Sequence, residues 1–234
     1  MQDLSVALST AVALIFDWDS DLREIVTLSL QVSLTAVFIA ALIGLPVGAA
    51  VGLLHFRGRR LVIAAMNALM GLPPVVVGLL VYLLVSNSGP LGELQLLFSP
   101  AAMVIAQCVL VTPIIAALTR QTVEDLNEEY AEYLRSLGAK PLQRVVTLLW
   151  DGRFSLLTAV LAGFGRAIAE VGAVIIVGGN INHVTRVMTT SITLETSKGN
   201  LSLALALGLI LICLSLLANL AVIGVRDVAQ RRYG

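Results

Sequence analysis

The strongest constraint on this chain is a set of apolar runs too long and too numerous for one soluble core. They lie at about Ile25–Leu54, Leu61–Val85, Ala101–Leu118, Phe154–Val177 and Leu201–Val225. About 20 apolar residues in a helix cross a hydrocarbon layer of about 30 Å, so four runs are long enough to span and the fifth is nearly so. Of the 234 residues 58% are hydrophobic and 13% charged, against about 45–50% and about 25% in soluble domains. A soluble fold of this length still needs a polar skin, which this composition does not supply. Barrel strands would give short alternating segments. The expectation is an all-α polytopic membrane protein of about five spans.

Charge then orients the spans. Eleven of the 15 basic residues fall on one side: Arg57, Arg59 and Arg60 after the first span, Arg120, Arg135, Lys140, Arg144 and Arg153 between the third and fourth, and Arg226, Arg231 and Arg232 in the tail. The positive-inside rule puts that side in the cytoplasm, with the amino terminus outside. Residues 1–23 read as a helix lying in the interface plane followed by an acidic linker, Asp17, Asp19 and Asp21. Its apolar part, Leu4–Phe16, is short for a span, and a short sixth span is the alternative. Residues 24–225 form the membrane domain and 226–234 the tail.

Several chemistries are excluded. Lys+Arg and Asp+Glu balance at 15 each, which gives no basic surplus for nucleic acid. Cys108 and Cys213 sit in apolar runs and His183 is a lone loop histidine, so no metal set is expected. No Gly-x-x-x-x-Gly-Lys-Ser/Thr phosphate cradle occurs. No fixed-period repeat marks two halves of a transporter.

Prolines interrupt three spans, at Pro46, Pro73-Pro74 and Pro113. Membrane helices tolerate them where neighbours satisfy the freed carbonyls, so Pro73 and Pro74 read as lining a path or as ordinary bundle irregularity. Arg166 and Glu170 are one helical turn apart inside the fourth span. Membrane charge costs roughly 2.5–3.5 kcal/mol on insertion scales, so the pair must face protein or water. It is either a gate-side pair or a packed ion pair that fixes helix orientation. Ala159, Gly163 and Ala167, with Gly165, Ala169 and Ala173, allow close helix approach. The outside loop Gly178–Asn200 is rich in hydroxyls. There Thr189 and Thr190 are candidate donors to a passing anion, or parts of an exposed loop or a short helix that meets another protein.

The cytoplasmic stretch 120–153 is too long and too patterned for a simple connection. Leu126, Tyr130, Tyr133, Leu134 and Leu137 recur at helical spacing, with Glu124, Glu128, Glu129, Glu132 and Arg135 filling much of the rest. Gly138 supplies a left-handed stop and Pro141 a helix start. A second helix follows, with Leu142, Val145, Val146 and Leu149 on one face. Helix, glycine turn and helix form a ridge that another protein could grip, or a connector lying on the membrane.

The run Glu132-Tyr-Leu-Arg-Ser-Leu-Gly138-Ala-Lys-Pro141 resembles the cytoplasmic-loop motif of ABC-importer permeases. Glu132 and Gly138 match its Glu and Gly, while Tyr133 and Leu134 replace its small residues. Leu148 stands at an expected apolar position, and Trp150-Asp151 replaces Leu-Pro. Leu72-Pro-Pro-Val-Val-Val-Gly-Leu79 and Gly163-Phe-Gly-Arg-Ala-Ile-Ala-Glu-Val-Gly-Ala-Val174, with Gly178-Gly-Asn-Ile181, are similar to molybdate- and tungstate-type permeases. The Arg-Phe after the second helix looks closest to the tungstate branch.

The resemblance implies the type I ABC-importer permease fold in a bacterial or archaeal plasma membrane. The chain would act as a homodimer with its pathway on the two-fold axis. It implies no enzyme activity and no cofactor on this chain, with ATP and Mg bound by a separate ATP-binding subunit. The ATPase would dock on the coupling helices, about 122–150, through Leu126, Glu128, Glu129, Tyr130, Glu132, Tyr133, Arg135, Gly138, Ala139, Lys140 and Pro141. An extracytoplasmic binding protein would deliver tungstate or molybdate. Alternatives are a sulfate or other small-solute permease of the same kind, or a self-contained secondary transporter or channel.

Overall fold

Proline and glycine decide where the apolar runs stop being single helices. The computed structural model describes residues 4–17 and 20–233. Among these it contains ten α-helices, a 3-10 turn at Gly92–Leu94 and no strand. The helices are α1 (Leu4–Asp17), α2 (Ser20–Leu53), α3 (Arg59–Met70), α4 (Pro74–Val85), α5 (Pro100–Ser136), α6 (Pro141–Asp151), α7 (Arg153–Ile168), α8 (Gly172–Gly178), α9 (Met188–Lys198) and α10 (Leu201–Tyr233). Asp19 and the side chains of Arg226, Arg231 and Arg232 lie outside the described residues.

Three helices are long and apolar enough to cross a bilayer, α2, α5 and α10, and two bent pairs raise the number to five. Helix α2 runs unbroken through Pro46 for 34 residues, about 51 Å at 1.5 Å per residue, so its glycine-marked second half is an extension. Gly48 lets α5 approach closely, because a Cβ there would lie 2.3 Å from the Ala116 carbonyl oxygen.

Helix α5 is longer than its apolar run. Ser99 caps its start by accepting from the Ala102 N–H at 3.4 Å, Pro100 sits in its first turn, and it continues for 37 residues. No glycine or proline intervenes after Pro113, so the predicted span and the first cytoplasmic helix are one rod.

The second run breaks at Gly71–Pro73, and α3 and α4 meet at 101°. The extended Pro73 and the ring of Pro74 end one helix and start the next. Helices α6 and α7 meet at 74° around Gly152. The fourth run, expected as one helix, is broken at Ala169–Val171 between α7 and α8.

Buried clusters are stacked along the central α2/α5 pair. Val77, Val81, Val85, Met103 and Val177 join α4, α5 and α8 at one end. Leu22, Ile25, Ile168, Met188 and Leu207 join α2, α7, α9 and α10 nearby. Val37, Ala40, Val111, Ile115 and Ala167 fill the middle. Ala49, Val123, Leu134 and Leu148 close the far end.

Outward faces are as apolar as the core. Phe38, Leu42, Leu79, Leu83, Leu216 and Leu217 are exposed, and only 22% of the most apolar window of α10 is buried. That inversion suits lipid as solvent. Helix α1 packs on α10, with Ala11 fully buried and Ile15 against the Leu22–Leu207 cluster.

Candidate functional site: a broken span and a helix-turn-helix ridge

The break in the fourth run is built from polar side chains buried in the bundle. Glu170, 3% exposed, uses both carboxylate oxygens. Oε2 pairs with Arg166 Nη2 at 3.2 Å, and Oε1 accepts from the Ala173 N–H at 3.0 Å where α8 begins. A helix break in an apolar medium frees carbonyls that must find donors. Gln107 Nε2 from α5 donates to the Ala167 carbonyl at 3.0 Å, and Thr189 Oγ1 from α9 donates to the Glu170 carbonyl at 2.8 Å.

The sequence singled out Arg166 and Glu170, and the structure pairs them. The Arg166 side chain remains 34% exposed, so its outer face needs water or a partner. Thr189 and Thr190 were expected in an exposed loop or a short helix. The short helix forms, as α9, and both side chains are buried in the bundle. Thr190 Oγ1 hydrogen-bonds the Asn180 side chain at 2.9 Å and receives the Val187 N–H at 3.2 Å. Their hydroxyls hold α8 and α9 in place.

Gln107 was missed. The available signal was a lone amide in the middle of the third apolar run. His183, read as solitary, faces Glu24 at 2.8 Å and ties the α8–α9 loop to α2. The Glu24 hydrogen bond and charge, helped by Asp21, hold the imidazole above its usual range, opposed by slight burial and Arg186. Pro73 is exposed and Pro74 starts α4.

At the other end, α5 stops in the manner its sequence foretold. Gly138 has φ +66°, its N–H donates to the Arg135 carbonyl at 2.9 Å, and the Ala139 N–H reaches back to Leu134 at 3.0 Å. Pro141 opens α6, and the Lys140 N–H donates to Gln143 Oε1 at 2.9 Å. Arg144 Nη2 donates to Asn127 Oδ1 at 2.7 Å, which locks α6 onto α5.

The ridge has two apolar stripes where the sequence suggested one per helix. Leu126, Tyr130 and Leu134 before the Gly138 turn, with Ala139, Val145, Leu148 and Leu149 after it, pack inward on Ala49 and Val123. Tyr133, Leu137, Leu142, Val146 and Trp150 are exposed. Leu142 and Val146 therefore leave the face they were expected to share with Val145 and Leu149. Four-residue spacing gives Leu142, Val146 and Trp150 a separate outward line. Glu128, Glu129, Glu132, Arg135 and Lys140, on α5 and the turn, are exposed as well.

Residues 44–233 match the family model described as "Binding-protein-dependent transport system inner membrane component". The chain is 39% identical over 227 residues to "Tungstate uptake system permease protein TupB" of Peptoclostridium acidaminophilum, covering 97% of this chain and 100% of that protein. It is 39% identical over 218 residues to "Probable anion ABC transporter permease protein" of Haloferax volcanii, covering 91% and 94%. A sulfate transport permease, CysW of Synechocystis, is more distant at 30% over 223 residues, covering 87% and 78%. With the family model spanning most of the chain and relatives aligned nearly end to end, this chain belongs to the family of binding-protein-dependent transport system inner membrane components.

Proposed function

We propose that this chain is the permease subunit of an ABC importer that carries a tetrahedral oxyanion, tungstate or molybdate, into the cytoplasm. The observation that carries the reading is the outward stripe Tyr133, Leu137, Leu142, Val146 and Trp150 on a ridge that continues a membrane-length helix. Large exposed apolar groups rimmed by charge are a protein-docking surface. Here the occupant is an ATP-hydrolysing subunit, and α5 is the lever it moves.

Nearly end-to-end alignment, at 39% identity, with a tungstate uptake permease supports the choice of anion. The chain acts as a homodimer, with amino termini outside and carboxyl termini in the cytoplasm. An extracytoplasmic binding protein delivers the anion. Arg166 supplies positive potential beside the path, and Glu170 keeps it from becoming a trap, since a conducting site must release what it attracts.

Reconstitution with the ATPase and binding protein in liposomes tests this. ATP turnover and uptake should be stimulated by protein loaded with tungstate or molybdate, and far less by sulfate. Stimulation by sulfate alone would move the chain to the sulfate branch. Anion flux from the permease without an ATPase would refute the reading.

A further inference from the structure

Below the bilayer-length part of α5, one carboxylate gathers two guanidinium groups. Glu124 Oε1 pairs with Arg59 Nη2 and Oε2 with Arg120 Nη1. Arg120 lies one turn away on α5 itself, so that bond joins nothing new. Arg59 is different. It opens α3, and it also donates from Nε to the Val51 carbonyl at 2.8 Å and from Nη2 to the Gly52 carbonyl at 3.2 Å. These carbonyls belong to the last turn of α2, where intrahelical donors run out. A single side chain, Arg59 at the start of α3, therefore joins α3 to the end of α2 and, through Glu124, to α5.

Helix α3 also packs on α5, but it buries few side chains there. Of its 12 residues only Met66 is buried, in a small cluster with Val51, Ala116 and Ala117, while Leu61 is 76% exposed. At its start stands Gly58, at φ +92° with nothing within 4 Å of a Cβ position. At its end lies the 101° bend into α4. Helix α4, in contrast, is packed firmly on α8, where Gly78 leaves room for Ala173. The weakly packed α3 thus lies between the ridge-bearing helix and the broken span, tethered at its start chiefly by Arg59.

We propose that Glu124 is a positioning residue that carries displacement of the inner-face ridge into the bent α3–α4 span through Arg59. The inference rests on the permease reading. The side chains of Glu124, Arg59 and Arg120 are 26%, 24% and 15% exposed. Water still reaches them, so the ion pair holds without being sealed. Without Glu124 the two arginines lose their shared counter-charge, and movement of α5 reaches α3 only through the apolar contact around Met66.

The test uses the complete transporter, with ATPase and binding protein, in liposomes, and reads tungstate moved per ATP hydrolysed. Glu124→Gln and Arg59→Gln should each lower that ratio about five- to tenfold, the range of a modest coupling energy, while ATP hydrolysis continues. Arg120→Gln removes only a bond within α5 and should leave the ratio unchanged, and Glu124→Asp should keep most of it. An unchanged ratio in both Glu124→Gln and Arg59→Gln overturns the proposal, even if yield or thermal midpoint falls. An equal loss in Arg120→Gln also overturns it, because the effect would then follow local charge rather than the α5–α3 link. Failure of the wild-type complex to move anion on ATP would refute the permease reading itself.

Discussion

At the scale of the residue, the Arg166–Glu170 pair is asymmetric. The Glu170 side chain is 2% exposed and that of Arg166 34%, so loss of the arginine strands a buried carboxylate. Breaking a buried pair costs about 3–5 kcal/mol. Arg166→Gln is expected to lower the thermal midpoint and folded yield of the detergent-solubilised protein sharply, and Arg166→Lys much less. Equal midpoints for wild type and Arg166→Gln would show that the pair does not hold the break.

His183 gives a pH dependence of defined sign. Its hydrogen bond to Glu24 raises the imidazole above the ordinary value of about 6.5. The extra stability is therefore complete below the ordinary value and fades as pH rises through the raised one. Wild type should lose more thermal stability than His183→Gln between about pH 6 and the mildly alkaline range, because both partners are exposed and the step is small. Parallel curves would remove the α2–loop tie from the account.

At the scale of the element, two glycines act by different physics. Gly138 has open space around it and a left-handed backbone, so Gly138→Val meets conformational strain of about 1–3 kcal/mol rather than a clash. The ridge should be displaced, and ATP hydrolysis should uncouple from uptake. Normal uptake per ATP would show that the turn geometry is dispensable.

Gly48 is the reverse case, since a side chain there meets the Ala116 carbonyl and Thr119. Gly48→Ala should cost about 1–3 kcal/mol by forcing α2 from α5. Gly208→Ala on α10, with nothing within 4 Å, should be neutral or gain up to about 1 kcal/mol of helix propensity. Thermal midpoints of the two variants separate packing from propensity. The ridge turn was legible because Gly138 and Pro141 act locally. The inward and outward stripes were not, because which side of α6 is covered depends on Ala49 and Val123, far away in the chain.

At the scale of the whole molecule, the proposed homodimer has a physical motive in the partly exposed side chain of Arg166. A charged group within a bilayer must be covered by protein or water, and a second copy around a wet two-fold path meets that need. Native mass measurement of the lipid-embedded assembly should find two copies of the 24.7 kDa chain. A functional transporter with a single permease copy would reject the arrangement.

Composition and short spacings alone established that the chain is a helical membrane protein, which of its segments are apolar, where the ridge turns, and that Arg166 and Glu170 stand near enough to pair, although Glu170 lies past the end of α7 and not on one helix face with Arg166. Each of these depends on composition or on spacings of a few residues. Tertiary structure decided that the fourth run breaks at Glu170, that Gln107 and Thr189 satisfy the break, that His183 meets Glu24, and that Glu124 binds Arg59. In each of these pairings the partner lies 19 or more positions away, in segments that local propensity cannot bring together. Apolar medium makes an unpaired polar group costly, but only packing determines which distant side chain is at hand to pair it.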